Sequence, residues 1–280
     1  MKNDIKLIAF DLDGTFLDDD KKVPEKNIQA VKAAVERGII CMPATGRLAR
    51  GIPKPVFDLP ELRYILASNG ASLYDLKTEQ AIYKADMALQ TALRLCDYMD
   101  RLPVIYGCFQ FERGYMNRVL HDKIPEFLGH APVINEYVQS INRPVDSVRG
   151  MLKKRGQPIE KMIMFCRQNE LELRAQLLEL MPKDFPELKI SSSLPFNIEI
   201  NDRNADKGRA LSALCAHLGI EKENVVCFGD ASNDITMLNA AGIGIAMSNG
   251  ANSAKAAADM CTESDNNNGG VGETIMKLIE

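Results

Sequence analysis

The stretch Ile5-Lys6-Leu7-Ile8-Ala9-Phe10-Asp11-Leu12-Asp13-Gly14-Thr15 is where the fold can first be read. From Leu7 to Phe10 no polar residue breaks the apolar run, the pattern of a strand buried on both faces of a parallel sheet. The run stops at acids. The two-residue period of a strand puts Asp11 and Asp13 on one side, just past the sheet's edge. In open α/β sheets that edge is where ligands bind. A polar turn uses the same residue types for capping and positive φ. Two like charges held close, however, call for a cation or a shared proton, which favours a metal site.

Working outward, Pro24 suits the first turn of a helix, Ile28, Val31 and Val35 keep its apolar face, and Gly38 is a stop. Residues 39–42 form a second buried strand. Strand, helix and strand within about 40 residues make a βαβ unit, whose crossover is right-handed. Residues 64–67 read as a third short strand ending at Ser68, Asn69 and Gly70. The same grammar returns late in the chain, with a helix over 207–218 stopped by Gly219, a buried strand over 225–228 ending at Gly229 and Asp230, a helical segment over 235–238, a brief strand over 244–246 and a helix over 251–258. The middle differs. Residues 87–99 are amphipathic helix, 104–111 and 115–119 flank Gly114 like a hairpin, 170–180 are helix, and 161–166 and 189–200 read as strands. The expected fold is therefore α/β, a doubly wound, Rossmann-like parallel sheet over residues 1–83 and 196–280 with an inserted α+β domain over 84–195. Asn266 to Gly270 is a short polar loop.

Composition narrows the class. With 34 Lys plus Arg against 38 Asp plus Glu, the net charge of −4 disfavours binding to nucleic acid through bulk electrostatics. Hydrophobic residues at 46% and charged residues at 26% are those of an ordinary globular chain rather than a disordered or fibrous one. No apolar run approaches the ~20 residues that span a bilayer, and the N-terminus lacks the apolar segment of a signal peptide, so no membrane partner and a cytoplasmic location are expected. The 7 cysteines form no C-x-x-C pair, which fits reduced, buried thiols. His121, His130 and His217 are scattered without the spacing of a zinc site.

Other strand ends carry candidate chemistry. Thr45 offers a hydroxyl after the second strand, and Gly46 lets its N–H approach an anion. Lys207 offers a cation at a helix start, and Gly229-Asp230-Ala231-Ser232-Asn233-Asp234 offers two more carboxylates. Each alone is also the ordinary content of a turn or a solvated helix end. Taken in order, Asp-x-Asp, Thr, Lys and Gly-Asp, each at a buried strand, resemble the four motifs of the haloacid dehalogenase-like hydrolase superfamily. The long insert between Thr45 and Lys207 is similar to the large cap of its Cof-type branch. Further echoes are Ala44-Thr45-Gly46-Arg47, Ser68-Asn69-Gly70-Ala71, Asp206-Lys207-Gly208, Ala246-Met247-Ser248-Asn249-Gly250 and Gly270-Val271. The chain departs from the family where Gly51, Pro53 and Pro55 interrupt the helix expected after Arg47, and where a single Asn69 stands in place of two asparagines.

The resemblance implies a Mg²⁺-dependent phosphomonoester hydrolase acting on a small soluble metabolite, a sugar phosphate foremost. Asp11 is then the nucleophile that forms an aspartyl-phosphate, splitting one hard displacement into two. Asp11, the backbone carbonyl of Asp13 and Asp230 are the implied Mg²⁺ ligands, with Asp234 binding a metal water or orienting Lys207. Asp13 is the implied acid and base, a task that requires its neighbours to raise its pKa. Backbone N–H groups at Leu12 and Gly46, the Thr45 hydroxyl, the Asn233 amide and the Lys207 ammonium would hold the phosphoryl oxygens. A sugar phosphomutase of the same superfamily is an alternative. A phosphoacceptor signalling module also combines clustered Asp with Thr and Lys, but response-regulator receivers place the phosphorylated Asp on a later strand and lack an inserted domain.

Overall fold

A computed structural model describes residues 4–110, 113–129, 131–167, 169–192 and 194–280. The chain forms two compact units, one running through Lys84 and resuming over Ala205–Glu280, the other comprising Ala85–Asn204. In chain order the first unit begins with β1 (Leu7–Phe10), α1 (Glu25–Glu36), β2 (Ile40–Pro43), α2 (Lys54–Phe57), β3 (Tyr64–Ala67), β4 (Ser72–Asp75) and β5 (Gln80–Lys84). The second unit holds α3 (Leu89–Met99), β6 (Ile105–Gln110), β7 (Arg113–Asn117), α4 (Arg118–His121), α5 (Ile124–Leu128), α6 (Pro132–Ile141), β8 (Asn142–Val145), α7 (Val148–Arg155), β9 (Lys161–Phe165), α8 (Leu171–Asp184), β10 (Leu188–Ser191) and β11 (Asn197–Asp202). The first unit closes with α9 (Lys207–Leu218), β12 (Val225–Gly229), α10 (Ile235–Ala240), β13 (Ile243–Ala246), α11 (Asn252–Ala257), β14 (Met260–Cys261) and α12 (Gly270–Ile279).

The first unit is built on a parallel sheet in the order β14-β13-β12-β1-β2. Successive side chains of β1 point to opposite faces, and both are covered. Ile8 and Phe10 join Val226 and Phe228 against Val31 of α1 and Ile275 of α12. Leu7 and Ala9 join Val225 and Cys227 against Leu211 and Leu214 of α9 and Leu238 of α10. Two-sided burial explains the unbroken apolar strands. The chain steps outward from β1 to β2, then returns beside β1 at β12 and steps outward the other way. The switch in direction falls between β1 and β12, and in open α/β sheets it is at the carboxyl ends of such strands that ligands bind. Residues 11 and 230 follow those two strands directly.

The third strand read from sequence departs from this sheet. After one parallel bridge between Ala44 and Leu66, β3 pairs antiparallel with β4 in a separate three-stranded sheet. In the second unit a six-stranded sheet runs β10-β11-β9-β6-β7-β8, with Tyr106, Met162, Met164, Ile198 and Ile200 packed with α3, α7 and α8 residues such as Leu95, Leu152 and Leu177. The single strand expected over 189–200 is two antiparallel strands, β10 and β11, Ser193 lying outside the described residues. β11 pairs with β9, so the boundary expected at residue 196 moves to Ala205. Gly114 sits inside β7 rather than at the hairpin turn, where a Cβ would meet the Ile141 carbonyl oxygen at 2.5 Å. Residues 118 and 119, expected in the strand, begin α4. Phe111 and His130 lie outside the described residues. Five cysteines are buried, but Cys215 is half-buried and Cys261 exposed on the sheet's edge strand. Among the described residues no helix is long and apolar enough to cross a membrane.

Gly208 fixes how closely α9 meets the chain at Thr236, since a Cβ there would lie 2.2 Å from the Thr236 carbonyl oxygen. Gly208→Ala is expected to destabilise the protein by about 3 kcal/mol, an overpacking cost. Leu180→Ala on the exposed face of α8 should cost no more than about 0.5 kcal/mol. Urea titrations of the two variants check this, and a Gly208→Ala midpoint equal to that of the parent would refute the close contact.

Candidate active site

Three loops meet at the switch point, after β1, after β12 and at the start of α9. The buried Lys207 Nζ donates to Asp11 Oδ1 at 2.7 Å and to Asp234 Oδ1 at 2.5 Å, and the lysine is 0% exposed. Lys207 opens α9 because Asp206 caps that helix, its carboxylate accepting from the Arg209 N–H at 3.0 Å. Asp234 is fully committed on its other oxygen too, accepting from the N–H groups of Asp230 and Ala231 at 3.0 Å each. Asp230 accepts from the Thr15 hydroxyl at 2.9 Å. At Gly14, φ is +77° and a Cβ would sit 2.6 Å from Asp230 Oδ2, so only glycine lets the first loop pass that carboxylate.

Asp11, Asp230 and Asp234 each bring an oxygen within 4.8 Å of the others, a group of three carboxylates that could hold a metal ion. Their electrostatics show why. Burial, then the charges of Asp234 and Asp230, push the Asp11 carboxyl well above its ordinary range, against the pull of Lys207. Burial and Asp234 raise Asp230 to about 7, although Thr15 and Lys207 oppose them. Burial works against the Lys207 charge as well, but Asp11 and Asp234 outweigh it and hold the ammonium firmly protonated. One ammonium thus faces three carboxylates, and the unbalanced negative charge is what a hard cation would neutralise.

Asp13 turns to other partners. Arg47 grips its carboxylate with a two-pronged fork, Nε to Oδ2 at 2.6 Å and Nη2 to Oδ1 at 2.7 Å, and Lys21 adds an ion pair at 2.9 Å. Burial would lift this carboxyl, yet the Arg47 hydrogen bonds and charge, with those of Lys21, pull it down to about 2. The expectation that its neighbours raise the Asp13 pKa is therefore overturned. The carboxylate lies outside the three-acid cluster.

The remaining expected residues lie on the loops after β2 and β12. Thr45 is buried, its N–H bonded to the Leu66 carbonyl at 2.8 Å and its hydroxyl accepting from the Arg47 N–H at 3.1 Å. The adjacent turn at Ser68 and Asn69 has positive φ at both residues and is tied back by N–H bonds to the carbonyls of Arg47 and Thr45. Asn233, next to Asp234, directs its amide onto Asn69 Oδ1 at 3.1 Å, while its own Oδ1 is buried without a hydrogen-bond partner. Leu12 is fully buried between the two acids. Sequence reasoning quoted Arg47 and Thr15 without assigning them work. Lys21 carried no signal, because only the folded hairpin brings it back to Asp13.

This geometry has relatives. The family model for haloacid dehalogenase-like hydrolases matches residues 8–275, and the chain belongs to that family, in its Cof-type branch. YxeH of Bacillus subtilis (strain 168) is 32% identical over 282 residues, 98% of either chain. From the same organism, the 5-amino-6-(5-phospho-D-ribitylamino)uracil phosphatase YcsE is 27% identical over 94% of this chain and 91% of its own. The solved structure of a haloacid dehalogenase-like hydrolase from B. subtilis matches with a TM-score of 0.81 at 26% identity, covering 97% of this chain and 99% of the other.

The raised carboxyls set a sign for stability. The native state keeps a proton on Asp230 up to about pH 7, whereas an unfolded chain releases it near 3.8, so stability falls as pH rises through that window. Asp11 acts in the same direction. Asp13 and Asp75, each lowered to about 2, act below it, adding stability as pH rises toward 4. In chelator-treated protein the thermal midpoint should therefore drop between about pH 4 and 7, and Asp230→Asn should flatten the drop. An equal slope in the variant would show that Asp230 titrates normally.

Proposed function

We propose that the protein is a Mg²⁺-dependent phosphomonoester hydrolase that works through an aspartyl-phosphate on Asp11 and takes a small phosphate ester, a sugar phosphate foremost. The observation that carries this is the buried Lys207 ammonium bridging Asp11 and Asp234 at the switch point of the sheet. Family membership supports the hydrolase class, and relatives named as phosphatases, YcsE and YwpJ of B. subtilis among them, support the phosphatase reading. The name of YcsE describes a phosphate on a ribityl chain, which favours a polyol or sugar phosphate here as well. A cytoplasmic location accords with the absence of disulfides among the seven cysteines.

The donor set fits Mg²⁺, since buried carboxylates with raised pKa values are hard oxygen ligands short of a counter-charge. Asp11, Asp230 and the Asp13 carbonyl would hold the ion, with Asp234 behind them. When bound, it would neutralise the charge of the incoming phosphoryl group and of the carboxylates around it. The protein's own residues do the rest. Lys207 aims Asp11 and draws it toward ionisation against its burial, and with the ion's charge added an Asp11 oxygen can attack phosphorus while the bond to the leaving oxygen breaks. Lys207, the Thr45 hydroxyl, the Asn233 amide and N–H groups at Leu12 and Gly46 stabilise the charge on the phosphoryl oxygens.

Asp13 is ionised in this structure, but both its oxygens are held by Arg47 and its pKa is about 2, so it must leave the Arg47 fork both to take a proton from the water that cleaves the aspartyl-phosphate and to give one to the leaving oxygen. The insert unit, Ala85–Asn204, is assigned as a cap that sets substrate choice.

A screen for inorganic phosphate released from sugar phosphates, nucleotides, pyridoxal phosphate and flavin mononucleotide tests the reading. Turnover without phosphate release would favour the phosphomutase. Asp11→Asn should lose on the order of 10⁴-fold or more in kcat with the circular dichroism unchanged, because an amide cannot attack phosphorus. Near-normal kcat would remove Asp11 from its role. Excess EDTA should silence the enzyme and Mg²⁺ should restore it, and Asp230→Ala should raise the Mg²⁺ needed. Full activity in EDTA would contradict the metal assignment.

A further inference from the structure

Four asparagines from three stretches of the chain converge on the loop that comes after the nucleophile. Asn249 Nδ2 donates to the Gly14 carbonyl at 2.8 Å. Asn27 Nδ2 donates to the Phe16 carbonyl at 2.8 Å, and its Oδ1 accepts from the Gly272 N–H at 2.7 Å. Asn266 Nδ2 donates to the Leu17 carbonyl and to Asp19 Oδ1, both at 3.1 Å. Asn267 Oδ1 accepts from the Asp19 N–H at 3.0 Å and its Nδ2 returns to Asp19 Oδ2 at 3.1 Å. The set is linked internally, since the Asn266 N–H donates to Asn249 Oδ1 at 3.1 Å. Asn27 and Asn266 are buried, Asn249 and Asn267 exposed.

What they hold is the span from Gly14 to Lys22. It doubles back on itself, with Asp13 bridged to Leu17, the Asp18 N–H bonded to the Lys22 carbonyl at 2.9 Å and Phe16 stacked on Phe10 at 4.0 Å. It follows Asp13 directly and carries Thr15, and its far side returns Lys21, at φ +63°, onto Asp13. Every hydrogen bond between the asparagines and positions 14, 16 and 17 goes to a main-chain carbonyl. Carbonyls need donors, and a primary amide donates without adding charge beside the acids, whereas a carboxylate of the same shape has nothing to donate. Asn27, Asn249 and Asn267 use the amide oxygen as well, accepting at a second point, which lysine, with no acceptor, cannot do.

We propose that Asn27 of α1, with Asn249, Asn266 and Asn267 of the segment after β13, forms a clamp that positions the Asp13 loop for proton transfer, Asn266 being its buried centre. The proposal rests on the reading of Asp13 as acid and base. These are positioning residues that act through the loop's main chain. Misplacing a reacting group by about an ångström costs on the order of 100-fold, so loss of the clamp should appear in kcat while KM stays put.

The test uses the full chain with Mg²⁺ and the best sugar phosphate from the screen. Asn266→Asp sets a carboxylate against the Leu17 carbonyl and the Asp19 carboxylate, and should lower kcat by about 10–100-fold with KM unchanged. The reciprocal pair Asn266→Asp with Asp19→Asn restores a donor between the two residues and should recover much of the loss. The exposed Asn249→Asp, which should fold whatever the fate of the first, should lose kcat in the same way. In an Asp13→Asn background Asn266→Asp should add little further loss, because the group being positioned is already gone. Unchanged kcat in folded Asn266→Asp and Asn249→Asp, or losses that simply multiply with that of Asp13→Asn, would overturn the clamp while leaving Asp13 in its role. Full kcat in Asp13→Asn alone would instead remove the acid/base reading, and the clamp with it.

Discussion

The structure depends on a charge that water does not reach. Lys207 is completely buried, and it stays ionised only because Asp11 and Asp234 lie against it. A buried pair of this kind is weak evidence of stability, since both ions lose their hydration and the attraction does little more than repay it. Removing one partner is another matter, costing several kcal/mol because the other is left unsatisfied. The arrangement therefore commits the fold to keep the acids in place even though burial, and then their crowding, drives Asp11 and Asp230 toward protonation. Strain of this sort is expected at a reactive centre, and a cation would relieve it.

Topology explains why these residues meet. β1 and β12 are neighbours in space but far apart in the chain, because the insert unit and α9 are threaded between β2 and β12. Their carboxyl ends deliver Asp11 and Asp230 side by side, and α9 delivers Lys207 from behind. Gly14 lets the first loop cross Asp230, and the bonds from Asp234 to the Asp230 and Ala231 N–H groups shape the turn after β12. Each placement uses backbone geometry that survives wide change in the surrounding surface. This accounts for the whole-length match to YxeH at only 32% identity.

Much of this was legible in the sequence because strands buried on both faces leave a strong apolar signature, and the residues just past the end of such a strand must sit at the sheet's edge. Asp11, Thr45 and Asp230 could be named for that reason, and Lys207 for its place at a helix start. The features that could not be read depended on partners from elsewhere in the chain. Asp13 looked like a group with a raised pKa from its proximity to Asp11, but the Arg47 fork and Lys21 reverse the sign. The strand over 64–67 looked like the others, yet the positive φ of Ser68 and Asn69 turns the chain back into an antiparallel sheet. The polar run after Asp265 looked like a plain loop, whereas Asn266 and Asn267 fasten the loop after Asp13 and α12 begins at Gly270.

The central claim is that a carboxylate, and not water, makes the first bond to phosphorus. The stereochemistry of transfer tests it most directly. A good phosphate ester made chiral at phosphorus with oxygen isotopes, hydrolysed in isotopically labelled water, should give phosphate with retained configuration, because two in-line displacements each invert it. Net inversion would mean a single direct attack by water, and would contradict the account at its core.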